Sequence, residues 1–149
     1  MKRIDKNNYY LDIAESALER STCLRRKWGA VIVKDDEIIS TGYNGAPRGR
    51  KNCNDIGTCI REELNVPRGE RYELCRSVHA EQNAIISAAV RGVSIKGGTL
   101  YLNTYPCSIC TRMLINAEIK RIVYDSDYND PLSKEMLDES GIEVVRYKE

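Results

Sequence analysis

One histidine occurs in the whole chain, and it stands in "SVHAEQNAI", Ser77 to Ile85, two residues ahead of a glutamate. A second stretch, "TYPCSICTRM", Thr104 to Met113, carries two cysteines three residues apart. A catalytic zinc site needs three protein ligands and one open position for water. His79, Cys107 and Cys110 would supply one imidazole and two thiolates. Glu81 would stay off the metal and handle protons. Residues three apart share a helix face, so Cys107 and Cys110 can grip one ion. Pro106 favours a helix start there, where free N–H groups and the positive end of the dipole favour thiolates. Residues two apart point to opposite sides of a helix interior, so His79 and Glu81 can share a pocket only at a helix tip. Alone, a single histidine reads as a satisfied structural residue. A lone C-x-x-C reads as a redox pair or half of a structural zinc site. The joint pattern, H-A-E and then P-C-x-x-C after an intervening helix and strand, is far more specific.

Elements must bring these two stretches together. Leu11, Ala14, Ala17 and Leu18 recur at helical spacing, so Tyr10 to Arg20 reads as an opening helix. "GAVIVKDDEIISTGYN" reads as a hairpin turning over Lys34 to Glu37. From Gly45 to Ser77 the chain is rich in Gly, Pro, Arg, Asn and Cys, with one short helix expected near Ile60 to Leu64. A loop that long is functional or pinned by something. A helix from Val78 to Arg91 follows, then a strand at Thr99 to Asn103, a helix at Cys107 to Ala117 and a strand at Arg121 to Tyr124. A helix from Pro131 to Ser140, stopped by Gly141, and a strand at Ile142 to Arg146 close the chain. Strands alternating with helices after a hairpin predict an α/β mixed sheet with helices on both faces.

The 149 residues predict a single domain, 1–149, able to bury a core. With 23 Lys plus Arg against 22 Asp plus Glu, the charge gives no support for a polynucleotide partner. No apolar run spans a bilayer and no secretory h-region opens the chain, so a soluble cytoplasmic protein is expected. Six cysteines in such a chain read as metal ligands or buried thiols rather than disulfides. Four of them, Cys23, Cys53, Cys59 and Cys75, lie outside the first constellation. They read either as metal ligands or as buried small hydrophobes.

The H-x-E and P-C-x-x-C pair is similar to the signature of zinc-dependent nucleoside and nucleotide deaminases. Within that superfamily, "HAEQNAI", "TGYNGAPRG" and "AEIKRIVYDSDY" resemble deoxycytidylate deaminases. The resemblance covers most of the chain. It implies a three-layer α/β/α cytidine deaminase-like fold with a five-stranded mixed sheet. It further implies catalytic zinc on His79, Cys107 and Cys110, and Glu81 as proton shuttle for a zinc-activated water that converts dCMP to dUMP and ammonia. Substrate contacts are implied at Asn44, Ala80, Thr104, Tyr128 and Arg26, with Lys27 and Arg48 as further cationic candidates for the 5′-phosphate. Asn44 reads equally as a turn residue before Gly45, and Tyr128 as a structural tyrosine. Some members carry a second zinc held partly by histidines. Here no histidine remains for it, and the four cysteines sit in the corresponding regions. Hexameric assembly, dCTP and dTTP as effectors, and Mg2+ accompanying the effector nucleotide also belong to the resemblance. Two other readings stay open: a deaminase of another small base or nucleoside (cytidine, guanine, a riboflavin precursor), and a non-catalytic zinc-stabilised binding module.

Overall fold

The computed structural model describes residues 2–127 and 130–147. Its core is one five-stranded sheet in the order β2-β1-β3-β4-β5. β1 (Gly29–Lys34) and β2 (Glu37–Tyr43) form the expected antiparallel hairpin. Asp35 and Asp36 turn it with φ of 51° and 59°, a left-handed conformation that aspartate tolerates better than most side chains. β3 (Thr99–Leu102) pairs antiparallel with β1, whereas β3, β4 (Arg121–Tyr124) and β5 (Glu143–Arg146) run parallel. The sheet is therefore mixed, as the sequence reading predicts.

Alternation along the strands divides the core into two faces. Ala30, Ile32, Leu100, Leu102 and Ile122 meet Ala80, Ala84 and Ala88 of α4 (Ala80–Val90), Leu114 of α5 (Ser108–Asn116) and Leu137 of α6 (Pro131–Ser140). On the other face Val31, Val33, Tyr101 and Val123 meet Tyr10, Leu11 and Ala14 of α1 (Lys6–Leu18). These are the three layers that the resemblance implies.

Helix α1 starts four residues before the apolar periodicity does. The Asp5 carboxylate accepts the Asn8 backbone N–H at 3.0 Å and caps a polar first turn. The loop from Gly45 to Ser77 holds more order than one short helix. It contains α2 (Cys53–Ile56), α3 (Ile60–Glu63) and a 3-10 turn at Tyr72–Leu74. The isolated bridge Gly45–Val78 ties its two ends together.

Contact between β2 and α4 sets the position of the metal-ligand stretch. A Cβ on Gly42 would lie 2.3 Å from the Ala80 carbonyl oxygen and 2.5 Å from the Ala84 nitrogen. Only glycine lets the first turn of α4 sit this close to the sheet. Asn83 adds a polar tie by donating from Nδ2 to the Tyr43 carbonyl at 2.7 Å.

Candidate metal centre and its cavity

His79 is the residue that caps α4, and Cys107 is the residue that caps α5. Both side chains therefore stand at helix tips, as the two-residue spacing of His79 and Glu81 demands. The His79 backbone N–H donates to Gln82 Oε1 at 2.9 Å and fixes the entry into α4. Cys107 Sγ accepts the Cys110 backbone N–H at 3.4 Å and fixes the entry into α5. The tip of α5 is also held from behind. The buried Ser133 hydroxyl donates to the Pro106 carbonyl at 2.8 Å and pairs with Thr111 Oγ1, and Asp130 accepts the Ser108 N–H at 3.2 Å.

The two tips converge. His79 Nδ1 lies 3.3 Å from Cys110 Sγ and 3.5 Å from Cys107 Sγ, and the two sulfurs are 3.3 Å apart. A tetrahedral zinc with bonds of about 2.3 Å to sulfur and 2.0–2.1 Å to nitrogen holds its donors roughly 3.5–3.8 Å apart. The three side chains fit that ion to within about half an ångström. Among the described residues they are the only His, Cys, Asp or Glu set of three or more with ligand atoms this mutually close, within 4.8 Å.

Electrostatics at the site agree with the geometry. The Cys107 pKa falls to about 4, chiefly because Cys110 donates to it, with His79 adding to the effect against the cost of burial. The Cys110 thiol is pushed up by that same hydrogen bond, so in the metal-free pair Cys107 is the thiolate. Burial works to lower His79, yet its hydrogen bond to Cys107 and the Glu81 charge outweigh it, and the net shift is upward. Glu81, only 2% exposed, is pushed up to about 7 by burial, against the pull of His79. A carboxylate that holds and releases a proton near neutrality is suited to act first as base and then as acid.

A cavity opens over this centre. His79, Glu81 and Cys107 line it together with Asn44, Thr104 and Arg26. Lys27 and Arg48 are exposed and do not belong to the lining. The Asn44 amide is largely occupied. Its Oδ1 accepts from the Trp28 N–H at 2.9 Å and from the Ser21 hydroxyl, and its Nδ2 donates to the Arg26 carbonyl at 2.9 Å. It thereby fixes the segment that carries Arg26. The Ala80 side chain packs in the core, and as first residue of α4 its N–H has no partner within the helix. Tyr128 lies outside the described residues.

Three of the four remaining cysteines, Cys23, Cys59 and Cys75, belong to the cavity lining. Cys53 is buried, and burial raises its thiol, with Cys75, Cys23 and Cys59 near enough to add to the shift. All four are free thiols, and no three of their sulfurs reach the spacing of the first set. Residues of the cavity that the sequence reading missed are Arg25, Trp28, Arg61, Arg68, Gly69, Tyr72 and Tyr105. Their only signal was membership of an unusually long loop or proximity to a quoted motif.

Comparison with known proteins points to one family. Residues 4–126 match the family model of the cytidine and deoxycytidylate deaminase zinc-binding region. The chain is 39% identical over 132 residues to a deoxycytidylate deaminase of Mycobacterium phage D29, covering 85% of this chain and 99% of the relative. It is 35% identical over 142 residues to a deoxycytidylate deaminase of Schizosaccharomyces pombe, covering 95% of this chain but only 44% of that longer protein. Among solved structures, the dCMP deaminase of cyanophage S-TIM5, crystallised with dCMP and dUMP, superposes with a TM-score of 0.80 at 29% identity, covering 99% of this chain and 100% of that one.

Proposed function

Because the chain belongs to the cytidine and deoxycytidylate deaminase family, marked by its zinc-binding region, we infer that it hydrolyses dCMP to dUMP and ammonia. The observation that carries this reading is a nearly inaccessible Glu81 beside the convergent His79, Cys107 and Cys110, lining one cavity with His79 and Cys107. A structural zinc site has no need of such a carboxylate, so the binding-module reading is the weaker one. The named activity of the phage and yeast relatives supports the choice of dCMP over other amines.

Zinc is the metal that His79 Nδ1, Cys107 Sγ and Cys110 Sγ would hold, and once bound it supplies a Lewis acid and an acidified water. The rest falls to Glu81. Its carboxylate takes a proton from the attacking water and passes it to N3 of the pyrimidine as the new C4–O bond forms. It then takes the second proton from that oxygen and delivers it to N4. The C4–N4 bond breaks, ammonia leaves, and C4 becomes the carbonyl of dUMP. The two hydrogens of one water are thus placed on N3 and on the amine. Burial serves this cycle, because a carboxylate screened from bulk solvent exchanges protons with the reactants in the cavity.

Asn44, Thr104 and Arg26 line the cavity, which supports their assignment to substrate. The Ala80 N–H and Tyr128 are carried with them from the family resemblance alone. Ammonia release from dCMP, deoxycytidine, cytidine, guanine and a diaminopyrimidine riboflavin precursor tests the substrate. The expected result is turnover of dCMP far above the others. No release from dCMP beside turnover of any other amine would sink the assignment.

The same reading takes Cys23, Cys53, Cys59 and Cys75 as a second zinc site that closes when the loop is loaded. Their gathering around Cys53, in a loop with little else to bury, supports it. Two zinc ions per chain are expected in fully loaded protein. No helix among the described residues is long and apolar enough to cross a membrane. A cytoplasmic homo-oligomer, with dCTP and dTTP as effectors and Mg2+ beside them, completes the proposal on the strength of the family.

A further inference from the structure

Arg61 is a charge that the proposed reaction leaves without a task. It is the second residue of α3 and lines the same cavity as His79 and Glu81. Its Nε is buried and has no hydrogen-bond partner. Among the described residues it forms no ion pair, whereas Arg25 is paired with Glu62 at 3.1 Å and Arg71 with Glu73. A buried guanidinium nitrogen left unbonded costs free energy that a bound anion recovers. The group is also held in place. Its Cζ sits 5.1 Å over the ring of Tyr72, and that ring meets the His79 imidazole edge-on, with centroids 5.4 Å apart at 84°. Arg61 therefore stands two short steps from the metal ligand, on the cavity wall.

We propose that Arg61 binds the phosphate of the nucleotide substrate, with Tyr72 as the positioning residue that holds it, so that Arg61 decides between nucleotide and nucleoside. This rests on the pyrimidine-nucleotide reading above. Such a substrate places its reacting amine at one end and its only anion at the other, a sugar apart. The planar fork of a guanidinium matches phosphate oxygens in a way that a lysine ammonium does not.

The test pairs a phosphorylated with an unphosphorylated ligand on the zinc-loaded protein. Binding of dUMP and deoxyuridine by calorimetry, and steady-state turnover of dCMP and deoxycytidine, are compared for wild type, Arg61→Ala and Arg61→Lys. In Arg61→Ala, dUMP binding is expected to weaken about 10- to 100-fold, and the KM for dCMP to rise by the same factor with kcat little changed. Deoxyuridine binding and deoxycytidine turnover are expected to stay as in wild type. Arg61→Lys should recover only part of the loss, and it carries the comparison if the alanine variant fails to fold. Equal effects on phosphorylated and unphosphorylated ligands, or none on either, would overturn the proposal and leave Arg61 a structural residue. Arg61-dependent binding of dUMP without ammonia release from dCMP would instead refute the reaction while leaving the phosphate role intact. Turnover of dCMP indifferent to Arg61 would do the reverse.

Discussion

Glu81 is a carboxylate that the fold has taken out of water and placed beside His79 and Cys107 in the lining of the cavity. Its value to the reaction lies in its charge state, so Glu81→Gln is expected to keep the fold and the zinc while turnover falls by about 10²–10⁴-fold or more. Metal analysis alongside ammonia release checks both halves, and retained activity would remove Glu81 from the mechanism. The pH dependence follows in sign. Glu81 must begin unprotonated to accept a proton from water, so kcat/KM is expected to fall as pH falls through its pKa. Burial raises that pKa from 4.5 toward about 7, and a bound cation draws it back down. A pH–rate profile with no acid limb would remove the titrating carboxylate from the mechanism. The four residues of this centre were legible because their types and spacings are unusual in themselves. Arg61 and Tyr72 were not. What singles them out is a shared cavity wall and an orphaned Nε, which appear only once the loop is folded.

Helix α4 can present His79 and Glu81 only because β2 lets it approach, and the approach depends on Gly42. A methyl there would meet backbone atoms of α4, which cannot swing aside like a side chain. Gly42→Ala is expected to destabilise the fold by about 1–3 kcal/mol or more, and to lower zinc affinity because the α4 tip shifts relative to α5. Thermal unfolding and zinc titration of the same sample would check it; an unchanged melting temperature would show that the sheet simply yields. Behind α5, Ser133→Ala would leave the buried Pro106 carbonyl and Thr111 hydroxyl short of a partner. A cost of about 1–3 kcal/mol is expected, with zinc released more readily. Strands, hairpin and the two ligand-bearing helices were readable from periodicity, because each buries one face against the sheet. The early start of α1, along with α2 and the 3-10 turn, was not. A side-chain cap and short polar turns leave no apolar repeat to detect.

Seen as one molecule, the chain closes a metal site between the tips of two helices that pack on the same face of the sheet. Zinc therefore binds the folded state and has no preformed site in the unfolded one, so its binding free energy adds to folding. The long loop from Gly45 to Ser77 raises the question of whether a second ion does the same for the four remaining cysteines. Linkage answers it by counting. Above its Kd, each site that exists only in the folded chain adds about 1.4 kcal/mol of stability per tenfold rise in free zinc. Urea unfolding in zinc buffers of stepped free concentration is expected to show a slope near twice that value. Replacing Cys53 and Cys59 by Ser should halve the slope while leaving the His79 centre loaded and active. A wild-type slope of one site, unaltered by those substitutions, would reduce the four cysteines to buried thiols, and the order of the loop would then rest on its own hydrogen bonds and the Gly45–Val78 bridge.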